Sequence, residues 1–574
     1  MQIRRLKIKN FRGIKELAWC PGPGLNCLTG PADAGKSTIL EAISMALSPA
    51  PGRVASEYDY FGGAIADGFV VEALVGKLDD KMLSAWPVAP LYTWMPETQT
   101  VQSDPDPAGE SVLCIRAQGT EDLEVEHVLV DPSEGTTPLS PSKRQLFGLS
   151  TIGPATTAFR ELRMSRGSLL ERNVDREQLR GLITEAMQTS RSAFEPPDDV
   201  KKRLGVLSDS RSEIAPGTGN LTLAMLSPRG QNLLGMLGLF SQGTDATLTP
   251  IPLLNTGLGT QQLTLFTLAS SLIVGTPLFV VDELESGLEP FRQRDLVARI
   301  RSAIGDDGQA FVTSHSPAAV SAIEISEMHR VDAKDTVHRV VAYPASLGRM
   351  KDADPEALLC RLPVLVEGLT EQGLLTTALD ALLAKRKLTL DAFGIRLIDG
   401  GGQPHVFPAV AALRSMAVRC GAFLDSEHSQ AGKRQELAED PDIAFGTYVE
   451  ARCLEEALAS SLPLEALDEL VALPGAGGRD RTNARYQQLT SLAGEQSRKR
   501  LVDLRADMEE SKCRDLFAQA ANRHEWFKGV HGGAAVGRHL IDHHPDSAIV
   551  AAIQGFLTAI EQLLSATASA PPRG

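Results

Sequence analysis

The sequence predicts an α/β protein built in two parts, and three observations lead there. A glycine-rich loop, Gly30-Pro31-Ala32-Asp33-Ala34-Gly35-Lys36-Ser37, lies between an apolar strand pattern and an amphipathic helix pattern. A second apolar run, Val280-Val281, ends in the acid pair Asp282-Glu283. Beyond residue 363, short apolar runs alternate with helical patterns and end in further acids, which is how a second open α/β sheet reads.

At 574 residues the chain exceeds what one hydrophobic core supports, so at least two domains are expected. Hydrophobic residues make up 43%, an ordinary share for a soluble globular protein. No apolar run approaches bilayer length, and Met1-Gln2-Ile3-Arg4-Arg5 lacks the apolar core of a signal peptide. A cytoplasmic protein with no membrane association is therefore expected. The seven cysteines stand singly with no CxxC pair, so neither a zinc knuckle nor a disulfide framework is supported. A net charge of −15 argues against indiscriminate coating of nucleic acid, while leaving room for a local basic channel.

In chain order, Ile3, Leu6 and Ile8 alternate with Arg5, Lys7 and Lys9 as a strand running to Asn10-Phe11-Arg12-Gly13. Leu25 to Thr29 form the strand before the glycine loop, and Ile39, Leu40, Ile43 and Leu47 recur at helical spacing after it. Residues Trp86 to Asp106, rich in proline, acids and threonine, predict an exposed loop. Arg172 to Leu204 is charged and helix-like, and residues 160–240 are expected to form a mainly helical insertion and a dimerisation region. Strands return at Pro277–Val281 and Ala310–Thr313. The polar stretch from Pro344 to Pro363 divides a first domain, 1–345, from a second core over 360–460 with strands at Val364–Val366, Ile395–Ile398 and Ala422–Leu424. A helical part over 461–565 follows, then a disordered tail over 566–574.

The loop chemistry follows from backbone geometry. Glycines at 30 and 35 let the N–H groups around Ala34 and the helix start converge on a β-phosphate, with Thr38 in the first helical turn. Lys36 reaches the outer phosphates and the Ser37 hydroxyl takes Mg²⁺. Asp282 is expected to hold the same ion, and Glu283 to orient or activate the attacking water. His315, after Thr313-Ser314, stands where an imidazole reaches the γ-phosphate. Thr256 and Gly257 precede a helix and offer amides to an anion, or simply cap that helix.

The second set is acidic. Glu367 ends a strand, and Glu371 follows four residues later on a helical turn. Asp399 ends the next strand before Gly400-Gly401-Gly402, and the third ends at Asp425-Ser426-Glu427. Ligands of open α/β sheets bind at this carboxyl edge. Each acid taken singly also fits a solvated strand end; their recurrence at successive ends favours hard divalent ions. Two such ions would activate water and stabilise the leaving oxygen of a phosphodiester. Arg479, Arg481, Arg485, Arg498, Lys499, Arg500 and Arg505 form the most basic stretch, read equally as a DNA track or as a solvated helix face laced with acids.

Taken in order, the N-terminal elements, opening with Leu6-Lys7-Ile8-Lys9-Asn10-Phe11-Arg12-Gly13-Ile14, resemble the ATP-binding-cassette ATPases of the structural-maintenance and RecF type. The resemblance implies that Thr256 to Gln262 is the signature motif, acting in trans in a homodimer, and that Ser286-Gly287-Leu288 is the D-loop. The signature departs from LSGGQ, no Q-loop glutamine is evident, and about 245 residues separate Lys36 from Asp282. The C-terminal half resembles the Toprim domain, and the two together resemble the OLD (overcoming lysogenization defect) family of prokaryotic nucleases. That resemblance makes Glu367 the Toprim glutamate, with Glu371 completing EGxTE, and places Asp425 and Glu427 on the DxD motif, whose second member is glutamate here. It adds a later acid, Glu455 with Glu456 as the alternative, and an active-site lysine at Lys528. It implies an ATP-dependent head joined to a metal-dependent DNA endonuclease, with ATP and Mg²⁺ as cofactors and Mn²⁺ or Ca²⁺ as alternatives at the nuclease site. DNA as substrate, a helicase partner and a role in phage defence or DNA processing come with it. The competing readings are a non-nucleolytic DNA-repair ATPase of the RecF or structural-maintenance type, and a topoisomerase or primase.

Overall fold

Alternation at Ile3, Leu6 and Ile8 produces strand β1 (Gln2–Phe11), whose apolar side is fully buried. Arg12-Gly13 turns it into antiparallel β2 (Ile14–Trp19), and β3 (Gly24–Thr29) runs into the glycine loop and helix α1 (Lys36–Leu47). In this computed structural model the described residues are 1–49, 54–86, 91–153, 161–164, 168–174, 179, 196–214, 219–225, 237–242, 250–271, 276–334, 337–426, 430–448, 453–473, 481–494 and 499–568. The chain forms two units, Met1–Tyr343 and Pro344–Gly574.

In the first unit, β10 (Leu149–Ile152), β14 (Leu278–Val281), β15 (Gln309–Thr313), β3 and β16 (Met328–Lys334) lie side by side and parallel. Their carboxyl ends therefore share one edge. β17 (Val337–Ala342) runs antiparallel to β16 and hands the sheet to β2 and β1. It continues antiparallel through β4 (Phe69–Gly76) and β7 (Glu110–Gly119), with β8 (Val125–Val130) and β9 (Thr136–Pro138) beyond.

Two expectations for this unit change. The stretch expected as an exposed loop forms the hairpin β5 (Leu91–Met95) and β6 (Thr100–Gln102), and Trp94 is buried against Leu74, Val112 and Val128. The loop-signalling residues fall outside the two strands, Pro87 and Pro90 before them, Pro96 and Glu97 in the turn, and Asp104-Pro105-Asp106 after. The insertion contains α2 (Asp198–Ile214) but also an antiparallel sheet of β11 (Asn220–Met225), β12 (Leu237–Gln242) and β13 (Ile251–Pro252). Leu221 and Leu223 bury against Leu237 and Leu239 with the period of two that strands require. Most of Arg172–Leu204 lies outside the described residues.

The second unit holds a four-stranded parallel sheet in the order β19 (Ile395–Asp399), β18 (Leu362–Val366), β20 (Cys420–Leu424), β21 (Ile443–Thr447). Every residue of β18 and β20 is buried, as expected of strands covered on both faces. Helix α3 (Leu258–Ser271) belongs to the first unit; α4 (Leu369–Ala384) and α5 (Gln403–Ser415) follow β18 and β19. After β21 come α6 (Leu454–Ser461), α7 (Leu464–Val471), α8 (Val530–His543) and α9 (Ala548–Ala568), so part of the expected tail is helical and 569–574 lie outside the described residues.

Contrary to the sequence expectation, α9 is long and apolar enough to cross a membrane by length and composition, with a mean hydropathy of 1.5 over Ala548–Ser565. Its apolar face is instead core: Ile553, Phe556 and Ile560 are buried, and Phe556 meets Phe423 edge-on. Alanines on its other positions lift the hydropathy.

α4 and α8 pack through glycines. A side chain at Gly533 would collide with the Thr370 carbonyl, and one at Gly373 with the Val530 carbonyl. Gly533→Ala should therefore push the two helices apart and destabilise the protein by about 1–3 kcal/mol, the usual cost of overpacking. Urea unfolding of the variant checks this, with Gly555→Ala on α9, where nothing lies within 4 Å, as a contrast expected to stabilise slightly by helix propensity.

Candidate functional site

The nucleotide loop is held open by two glycines. Gly30, at φ +133°, passes so close to Val331 that a side chain would strike its carbonyl, and Gly35, at φ +91°, starts α1 in the left-handed region. Ala34 is buried beneath the loop, which leaves the amides of Lys36, Ser37 and Thr38 at the helix N-terminus. Lys36 Nζ donates to the carbonyls of Gly30 (3.0 Å) and Pro31 (2.6 Å), and burial holds its pKa below the ordinary lysine value.

Opposite, the ends of β14 and β15 converge on one carboxylate oxygen. Asp282 Oδ1 accepts from Ser37 Oγ at 3.0 Å and from Thr313 Oγ1 at 2.6 Å. Burial, opposed by these two hydrogen bonds, raises the Asp282 pKa. Ser37 and Asp282 are thus adjacent hard oxygen donors of the kind Mg²⁺ takes. Thr313 Oγ1 also accepts the Glu283 amide at 2.8 Å, pinning Glu283 at φ +51°, exposed, with its carboxylate bonded by Ser286 Oγ. His315 is exposed beside it, its amide donated to Glu285 Oε1 at 2.8 Å. Thr313 and Glu285 are positioning residues that the motif reading missed; a threonine ending the strand beside Asp282 was their visible signal. Thr256 and Gly257 precede α3, whose Gln262 donates to the Leu284 carbonyl at 3.2 Å and whose Gly259 lies against Gly287. Their segment is thereby tied to the Glu283–Leu288 turn.

In the second unit, Glu367 Oε2 accepts from the Asp425 amide and from Gln403 Nε2, both at 3.0 Å, and Gln403 Nε2 also reaches the Asp425 carbonyl at 3.0 Å. Gln403, 2% exposed, bridges the two strand ends, and its Oε1 is buried without a hydrogen bond. Glu371 is buried on the first turn of α4. Burial first, then the neighbouring carboxylates Glu367 and Glu455, raise its pKa to about 7 against the pull of the amides of Glu371 and Gly368. Tyr448 is buried against Phe423 with its hydroxyl unbonded, near Glu371, Asp425 and Glu455. Glu456 lines a separate cavity with Asp515 and Arg523.

The expected cage is looser than the sequence implied. Among the described residues, Glu367, Glu371, Asp425 and Glu455 do not bring three ligand oxygens within 4.8 Å of one another, and Glu427 lies outside the described residues. The donor set still fits a hard divalent cation, since carboxylates surround buried, unbonded oxygens of Gln403 and Tyr448. Lys528 is exposed and paired with Glu525, while the next amide, Gly529, donates to Thr370 Oγ1 at 3.1 Å on the helix that carries Glu371.

The basic stretch changes most. Arg485 is buried and donates to the Val471, Leu473 and Trp526 carbonyls, so it is a core strut and not a DNA contact. Lys499 pairs with Asp507 at 2.8 Å, Arg500 faces Asp468 at 3.6 Å and Arg505 faces Glu510 at 3.2 Å. Arg481 is exposed; Arg479 and Arg498 lie outside the described residues.

Comparison with known proteins falls on the first unit. Residues 5–68 match the family described as "AAA domain", and residues 157–321 the family described as "AAA domain, putative AbiEii toxin, Type IV TA system". The chain is 45% identical over 74 residues to the DNA replication and repair protein RecF of Brucella abortus (strain 2308), covering 13% of this chain and 19% of that protein. It is 51% identical over 45 residues to RecF of Magnetococcus marinus, covering 8% and 12%. The chain thus spans about one fifth or less of the length of these curated relatives. Among solved structures, it is similar to an Smc head bound to the C-winged helix domain of ScpA (14% identity, TM-score 0.39, 59% of this chain and 97% of that one). It is also similar to the SMC head domain from Thermotoga maritima (13%, TM-score 0.31, 60% and 100%).

The first unit carries a P-loop ATPase head, matched in part by two AAA-domain families. Two predictions follow from the geometry of the head and of the acidic pocket. Lys36→Ala and Asp282→Asn should each lower the head's ATP turnover on the order of 100- to 1,000-fold, and Thr313→Val should lower kcat with little change in nucleotide affinity. Phosphate release and nucleotide-binding assays check both. The second concerns Glu371, whose pKa is about 7 in the fold against an ordinary 4.5. The folded state then holds a proton that the unfolded chain releases, so stability falls as pH rises from about 4.5 to about 7 and levels off above. Thermal melts in chelator across that window should show this slope, and Glu371→Gln should flatten it.

Proposed function

We propose that the chain is a nucleotide-regulated, metal-dependent DNA endonuclease, with the ATPase head joined to a Toprim-type unit of the OLD kind. The observation that carries this reading is the bridge of Gln403 between Glu367 and Asp425 at the carboxyl edge of a parallel sheet, with Glu371 and Glu455 beside it. Glu367, Glu371 and Asp425, with Glu427 and Glu455, would hold Mg²⁺, or Mn²⁺ or Ca²⁺ in its place. When bound, such ions lower the pKa of water and neutralise charge on a phosphodiester. The chain's own part is positional. Gln403 fixes the Glu367 oxygen, the Gly402 amide donates to the Glu367 carbonyl at 2.8 Å, and the loop bearing Lys528 is pinned to Thr370. In the head, Lys36 and Ser37 would hold ATP and Mg²⁺, and the Thr256–Gln262 segment would close on the nucleotide of a second copy in a cytoplasmic homodimer. Work on DNA with a helicase, in phage defence or DNA processing, accords with that assembly.

The RecF similarity favours a second reading, a DNA-repair ATPase whose acidic unit binds without cutting. Incubation of supercoiled plasmid with Mg²⁺, Mn²⁺ or Ca²⁺, with and without ATP, separates the two. Nicked or linear product is expected, falling about 100-fold or more in Glu367→Gln and Asp425→Asn while ATP turnover persists. Intact plasmid under every condition, with ATP still hydrolysed, would leave the repair ATPase.

A further inference from the structure

Away from both sites, the second unit brings two histidines and a glutamate to one point. Glu469 lies on α7, His539 on the last turns of α8, and His544 caps that helix, its amide bonded to the Leu540 carbonyl. Glu469 Oε2 lies 3.1 Å from His539 Nε2 and 3.5 Å from His544 Nε2, and the three atoms fall within 4.8 Å of one another. Among the described residues this is the group of three or more histidine, cysteine or acidic ligands that closes so tightly.

Protonation does not account for the arrangement well. Both ring nitrogens are buried and neither makes a hydrogen bond of acceptable geometry, although they face the same oxygen. Charging both imidazoles would set two cations about one carboxylate oxygen, with ring centres 5.4 Å apart and the His543 ring, tilted by 42°, 4.8 Å from His539. A neutral imidazole can donate its Nε2–H to a carboxylate, yet neither nitrogen is aligned for such a bond with Glu469. A divalent ion satisfies both nitrogens and the carboxylate together. Zinc–ligand bonds of about 2.0–2.1 Å in a tetrahedron set neighbouring ligand atoms roughly 3.3 Å apart, and the separations of 3.1 and 3.5 Å bracket that figure.

We infer that Glu469, His539 and His544 form a site for a borderline first-row ion, Zn²⁺ in the first instance. Imidazole nitrogen with one carboxylate suits such an ion, whereas Mg²⁺ prefers the all-oxygen pocket at Glu367. The ion clamps α7 to the end of α8. The other end of α8 packs by Gly533 and Gly537 on α4, the helix carrying Glu371, so the clamp braces the wall of the acidic pocket. The inference is independent of whether that pocket cuts DNA.

The test uses the full chain, stripped by chelator and dialysed. In excess Mg²⁺ it should take up one equivalent of Zn²⁺ by calorimetry, and Co²⁺ as a probe should give the intense visible bands of a low-coordinate site. Glu469→Gln, at a half-exposed position where folding is not at risk, and His544→Ala should each weaken Zn²⁺ uptake on the order of 100-fold and abolish the Zn²⁺-induced rise in melting temperature. Glu367→Gln should leave uptake unchanged. Uptake that survives Glu469→Gln, that is lost in Glu367→Gln, or that never occurs in the intact chain overturns the site.

Discussion

Ser37 and Thr313 both donate to one oxygen of Asp282, and this contact joins three segments of chain that are far apart in sequence. It forms only because β14, β15 and β3 are parallel neighbours, which puts their carboxyl ends at one edge. Thr313 then sets the Glu283 amide and Glu285 the His315 amide, so the acid pair, the histidine and the helix N-terminus are fixed by one hydrogen-bonded chain. Placing an ionisable carboxylate here raises its pKa, and the two hydroxyls offset part of that penalty. The ATPase geometry rests on that balance.

The acidic pocket repeats the logic with different donors. Gln403, the first residue of α5, takes the place of the two hydroxyls by giving one amide group to both Glu367 and the Asp425 carbonyl. The oxygens of Gln403 and Tyr448 that remain buried and unbonded mark where further polar partners belong. Glu371, pushed toward neutrality by burial and by its acidic neighbours, is the group whose charge state reports most directly on what the pocket holds.

How much of this was legible in the sequence depends on whether a residue acts through a local pattern. The glycine loop, the Asp282-Glu283 strand end and the EGxTE turn are short-range signatures, and the residues they name fall at strand ends or first helical turns. Thr313, Gln403 and Tyr448 act by packing across strands, and no spacing rule in one sequence announces that. Composition misled where burial was unequal along a segment: Trp94 lies deep in a stretch whose prolines, acids and threonines read as an exposed loop. Arg485 shows the same limit, since a basic run does not reveal which guanidinium turns inward.

The two sites are electrostatic opposites, and the contrast bears on order of events. The head offers amides and an ammonium to a polyanion. The acidic pocket offers carboxylates in a chain of net charge −15, and of the basic stretch that would offset them Lys499 faces Asp507 and Arg500 faces Asp468. A phosphate backbone approaching that pocket therefore meets repulsion until cations bind there. On the nuclease reading, divalent metal must load before DNA, and apparent DNA affinity at the second unit becomes a function of metal concentration as much as of salt. The neutral form of Glu371 lessens that repulsion below about pH 7, but a protonated carboxyl is also a poorer ligand. On that reading, metal loading would be linked to release of the Glu371 proton, and metal uptake would therefore strengthen as pH rises through about 7.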